Sequence, residues 1–165
     1  MELLAITGFE FSLFLHLTAV VVGLGATFAE SIAFPVAMKL DPRHLPYVHA
    51  LQLAINRYFA NPALVIVLVT GIYQTTEVDY SFGAFWISAS LTIVVILGAL
   101  IGSYFIPADR RLGPMVQREI EAAGDGEVVL SDEYQRGARN EAIVGAVAGV
   151  LIVVAIYLMV TKPGL

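Results

Sequence analysis

One histidine, His16, stands about a third of the way along an apolar stretch long enough to cross a lipid bilayer. An imidazole there costs free energy unless it is hydrogen-bonded, stacked or bound to a metal, which makes His16 the first candidate for chemistry. Imidazole is the usual protein ligand of haem-b iron, so that chemistry would be axial ligation in a redox or electron-transfer role. A second histidine is out of reach. His44 and His49 belong to the opposite end of the next segment, and the 14 residues from His16 to Glu30 already rise about 21 Å along a helix. Met159 falls at the depth of His16 and is the weaker candidate for a second ligand. The alternative is a histidine that binds no cofactor and hydrogen-bonds to Ser88, Ser90 or Tyr157.

A second polar group gathers at the other end of the spans: Glu30, Arg57, Asn61 and Glu141, with Asn56 and Asn140 beside them. A charge there is costly without a partner, and Glu30 with Arg57 is the natural pair. The group reads as an anchoring ion-pair network, or else as a path for a proton or a substrate. His44 and His49 are five apart across a proline and lack the i, i+4 spacing of a helical metal pair. They read as interfacial polar residues, with His49, Gln52 and Asn56 on one stripe facing water or the long loop, and no metal site is expected. The chain has no cysteine, which excludes disulfides, thiolate metal sites and iron–sulfur clusters. No nucleophile–base pair, carboxylate dyad or phosphate-cradling loop stands out.

Four apolar stretches must position these residues: Phe11 to Phe34, Ala60 to Tyr73, Ala84 to Ile106 and Ala142 to Val160. Of 165 residues, 58% are hydrophobic and 14% charged, well below the roughly 25% charged residues of soluble domains. The expected fold is all-α, a four-helix transmembrane bundle forming a single domain over 1–165. Its helices cover about 8–38, 46–75, 83–106 and 132–161, with a cytoplasmic loop over 107–131. Helix three should end before Pro107, Pro62 should kink helix two near Asn61, and Ser131 or Asp132 should cap helix four. Eight of the nine basic residues fall in the segments joining helices one to two and three to four. The positive-inside rule therefore puts both termini outside. The first residues lack the basic start of a signal peptide, so helix one is expected to be retained.

Ser12, His16, Ala19, Gly23, Thr27 and Glu30 share one face of helix one, which should point into the bundle. Gly98 with Gly102, and Gly145 with Gly149, form GxxxG pairs suited to close packing. Helix packing within the chain is one reading of these pairs. A homodimer seam on helix four is the other.

His16, the Asn56-Arg57-Tyr58 and Pro62 to Gly71-Ile72-Tyr73 pattern, Trp86, and the closing Met159-Val160-Thr161-Lys162-Pro163 resemble an uncharacterised family of bacterial four-helix integral-membrane proteins. More distantly the layout is similar to the copper-resistance D-type membrane domain and to the four-helix haem-binding bacterial protoporphyrinogen oxidase. That oxidase carries a histidine in helix one, which His16 matches, and a lysine four residues after the helix-three tryptophan, where this chain has Ser90. The resemblance implies a porphyrin- or metal-handling ancestry. Three functions follow as expectations: a haem-b or porphyrin-binding inner-membrane protein, a non-catalytic accessory or assembly subunit, and a small-solute or metal-ion permease. Partners would be the lipid bilayer and other membrane subunits or a second copy. Nothing basic enough for nucleic acid is present.

Overall fold

A computed structural model describes residues 6–164. Four long helices, α1 (Gly8–Leu40), α2 (Pro42–Glu77), α3 (Phe85–Ala123) and α4 (Asp132–Thr161), are each long and apolar enough to span a membrane. They run alternately up and down, so the described ends of the chain and the α2–α3 turn lie at one end of the bundle. This is called the terminal end here, and the end with the two other connections the loop end. No strand occurs among the described residues. Many large apolar side chains, among them Phe14, Val21, Val65, Val95 and Val150, are exposed, as a lipid-facing surface requires.

Local sequence sets the helix starts. Thr7 caps α1 and forms a capping box with Glu10, satisfying amide groups that the first turn leaves unpaired. Ser131, rather than Asp132, caps α4 by accepting from the Tyr134 amide at 3.2 Å. Three helices contain a widened π turn: Ala19–Leu24 in α1, Asn56–Ala60 in α2 and Ile101–Phe105 in α3. The latter two immediately precede Pro62 and Pro107. Proline lacks an amide hydrogen and crowds the carbonyl four residues back. In both helices that carbonyl, of Tyr58 or Ser103, belongs to the π turn.

Helix three does not end before Pro107. It continues through Pro107 and Pro114 to Ala123, so the expected loop 107–131 shrinks to the residues after Ala123. The extension is amphipathic and buries Leu112 and Val116 against Leu45 and Val48 at the start of α2. That packing recovers the stabilisation a proline-broken helix would lose. A separate apolar core fills the middle and terminal half of the bundle, with Leu64, Val67, Trp86, Val94, Leu97 and Ile152.

The predicted polar face of α1 is observed. Ser12, His16, Ala19, Gly23 and Glu30 are buried, and Thr27 is half-buried. Its closest packing is at Gly23, where an added β-carbon would overlap the β-carbon of Ala63 on α2. The two GxxxG pairs behave differently. A β-carbon on Gly98 or Gly102 would meet open space, while Gly145 and Gly149 approach only the rims of Phe105 and Phe28. Neither pair therefore makes the close backbone approach of an intramolecular seam, and Gly145 and Gly149 instead line a cavity.

Candidate functional site

At the terminal end, α1, α2, α3 and α4 together enclose a cavity of about 420 Å³. His16 lines it, as do Gln74, Trp86, Ser90, Met159 and Lys162, so the residues expected at one depth do converge. Tyr157 and Ser88 do not join them; both are exposed. The imidazole partner is Thr70 of α2, whose Oγ1 lies 2.8 Å from His16 Nδ1. The Thr70 hydroxyl donates its single hydrogen to the Ile66 carbonyl one turn earlier. With its hydrogen on that carbonyl the hydroxyl accepts from His16, in the tautomer that has the proton on Nδ1 and the lone pair on Nε2. A fixed tautomer of this kind is what a ligating histidine needs. Close above the ring, Gly71 makes room: a β-carbon there would stand 3.6 Å from His16 Cε1.

The mouth of this cavity is electropositive. Lys162 Nζ lies 5.0 Å from the centre of the Tyr80 ring and 5.6 Å from that of Trp86, and donates to Tyr80 Oη at 3.2 Å. The left-handed backbone at Lys162 (φ 45°) turns the chain at the end of α4. Trp86 Nε1 is buried with no acceptor. A cation and an unpaired donor thus border an apolar chamber whose depth holds an imidazole acceptor.

The loop end departs from expectation. His49 is buried, 2% exposed, and its stripe faces not water but the segment 107–131, the other of the two expected neighbours, which here continues α3. Its Nδ1 lies 3.0 Å from Asp109 Oδ1 of α3, and its Nε2 lies 2.9 Å from the Tyr134 hydroxyl of α4. Glu141 of α4 completes a group in which one ligand atom each of His49, Asp109 and Glu141 lies within 4.8 Å of the others. Spacing along the chain points to no metal site, yet three helices bring together a histidine and two carboxylates that the sequence keeps far apart.

Glu30 is buried beside this end, but not paired with Arg57. Arg57 is exposed, with its guanidinium carbon 5.6 Å from the Tyr58 ring centre. Among the described residues the only Lys or Arg ion pair is Arg43 with Asp41, and Asp109 meets His49 rather than a permanent cation. Asn61 is half-buried and Asn140 exposed, so the anchoring network does not form. Instead Glu30 and Glu141 line the polar edge of a second cavity, of about 630 Å³, between α1 and α4. His44 is exposed in the turn that opens α2.

Asp109 escaped the sequence reading because helix three was expected to end before Pro107, which left Asp109 in a loop; once the helix continues, the π turn at Ile101–Phe105 sets which way it faces. In an unbroken helix, the face holding Leu97 and Ile101 returns at Ala108. The extra residue in the widened turn shifts that face to Asp109, which is 2% exposed. The proline two residues after the turn was the available signal.

A bundle of four membrane-crossing helices with one polar site at each end defines the class: an integral membrane protein. The chain belongs to the family described as Predicted integral membrane protein (DUF2269), whose model matches residues 11–163. No curated protein and no solved structure matches it.

Proposed function

We propose that the terminal-end cavity binds a haem b or porphyrin, with His16 as the protein ligand, in a bacterial inner-membrane protein whose two termini face outward. The observation that carries this reading is the Thr70 bond, which leaves the Nε2 lone pair on a side chain lining the cavity. The volume falls in the range of small-molecule sites, roughly 300–1,000 Å³. The apolar walls suit a macrocycle, and Lys162 with the Trp86 N–H suits the carboxylates at its edge. Bound haem would supply one-electron exchange. The residues of this chain would hold it: Thr70 would orient the imidazole, and Gly71 leaves space beside the ring. Met159 lines the same cavity and would be the candidate second ligand. The orientation rests on the basic residues, all but one of which lie toward the loop end.

The test is an absorption spectrum of the gently solubilised protein from haem-replete cells. A Soret band is expected, abolished in His16→Ala and retained in His44→Ala and His49→Ala, while Met159→Leu keeps the band and shifts the reduced spectrum. A colourless preparation overturns the reading; co-purifying subunits would then mark an accessory protein. Reporters that fluoresce only in the cytoplasm should be active when fused after Glu121 and silent after Asp79, and the reverse pattern would overturn the orientation.

A further inference from the structure

The loop-end cluster holds more negative potential than it can satisfy. Asp109, Glu141 and Glu30 are 2%, 7% and 8% exposed, and each keeps one oxygen without a partner: Asp109 Oδ2, Glu141 Oε1 and Glu30 Oε1. No Lys or Arg pairs with any of them among the described residues. Buried carboxylates in such a place are paired, protonated or bound to a metal. Three helices supply these carboxylates and the fourth supplies His49, and two π turns lie in the helices that carry His49 and Asp109, a distortion often found at functional sites.

We propose that His49, Asp109 and Glu141 form a binding site for one divalent transition-metal cation, with Glu30 as a further carboxylate at its entrance. The donor set names the metal class. One imidazole nitrogen with carboxylate oxygens suits zinc, manganese or ferrous iron, whereas magnesium and calcium prefer oxygen alone and cuprous copper prefers sulfur. Without metal, His49 Nδ1–H donates to Asp109, and Nε2 accepts from the Tyr134 hydroxyl. On binding, the cation takes the place of the Nδ1 proton, which passes by way of solvent to Nε2, so the ring stays neutral. The Tyr134 hydroxyl turns its own hydrogen away and accepts from Nε2–H, which holds the ring in its ligating orientation. The cavity lined by Glu30 and Glu141 is the route in. Its wall along α4 includes Gly145 and Gly149 beside alanines and larger apolar residues, and the missing side chains at the two glycines leave room for a passage.

The test uses the full-length protein without a histidine tag, stripped with chelator in detergent and dialysed against zinc or manganese alone. One equivalent of metal per chain is expected by elemental analysis. His49→Ala and Glu141→Gln should each lower affinity by more than 100-fold, and Tyr134→Phe by about 10- to 100-fold. His44→Ala and His16→Ala should leave it unchanged, the latter even where it removes a Soret band, so this site and the porphyrin site stand or fall separately. Helix content by circular dichroism and a monodisperse elution profile establish that each variant is folded. Should the cluster variants fail to fold, X-ray absorption of the zinc-loaded wild type decides the matter: one nitrogen and carboxylate oxygens are expected. A wild-type protein that binds no metal, a coordination shell without imidazole, or full affinity in Glu141→Gln would overturn the proposal.

Discussion

The two ends of the bundle each bury a histidine, yet their surroundings are opposite in sign. Five buried side-chain polar atoms lack partners among the described residues. At the terminal end the single such atom is a donor, Trp86 Nε1, close to the Lys162 cation. At the loop end the other four are acceptor oxygens, from Glu30, Gln52, Asp109 and Glu141. An imidazole is therefore not a function by itself. In the readings proposed above, His16, with a hydroxyl partner in an apolar chamber, would offer a lone pair to a large ligand with anionic edges. His49, among carboxylates, would be one ligand of a cation site. The same side chain is read by the charge of what remains unsatisfied around it.

The contact that keeps the ends in register offers the largest effect. Gly23→Leu would force α1 away from Ala63 and its backbone, and should cost about 3 kcal/mol or more, seen as loss of monodisperse protein on size exclusion. Gly98→Leu, facing open space, should leave the elution profile intact. Equal tolerance at both positions would mean that the waist between α1 and α2 does not hold the two sites in place.

Thr70→Val sharpens the contrast at the terminal end. It leaves the His16 Nδ1–H without its acceptor, which should lower stability by about 1–3 kcal/mol in a thermal melt and weaken porphyrin retention. Metal content should not change. A loss of metal would show that the two ends are coupled.

Glu30→Leu acts in the opposite direction. In the metal-stripped protein it removes a buried carboxylate that has no basic partner, and the melting temperature should rise, by an amount equivalent to about 1 kcal/mol. A fall would reveal a compensating partner for Glu30 and weaken the contrast between the ends. The smallest effect belongs to Lys162→Met, which removes the cation over two rings and should cost about 0.5–1 kcal/mol. It should also loosen the binding of anionic porphyrins more than that of their uncharged esters in a spectral titration.

The number of spans, their alternating course and the polar face of α1 are all legible in the chain. Apolar run length reports bilayer thickness, and the 3.6-residue period reports which face is buried. Hence Ser12, His16, Ala19, Gly23 and Glu30 are buried where the pattern places them, and His16 shares a cavity with Trp86, Ser90 and Met159. Partners were not legible. Thr70 rather than Ser88, Ser90 or Tyr157 holds His16, and the pairing of Glu30 with Arg57 does not occur. The continuation of α3 past Pro107 and the inward turn of Asp109 depend on a widened turn that adds one residue to the helical phase, rotating everything after it by about 100°. A run of residues determines depth and face to within a turn. Which side chains meet is decided by rotations of that size and by how neighbouring helices diverge, and those exist only in the packed bundle.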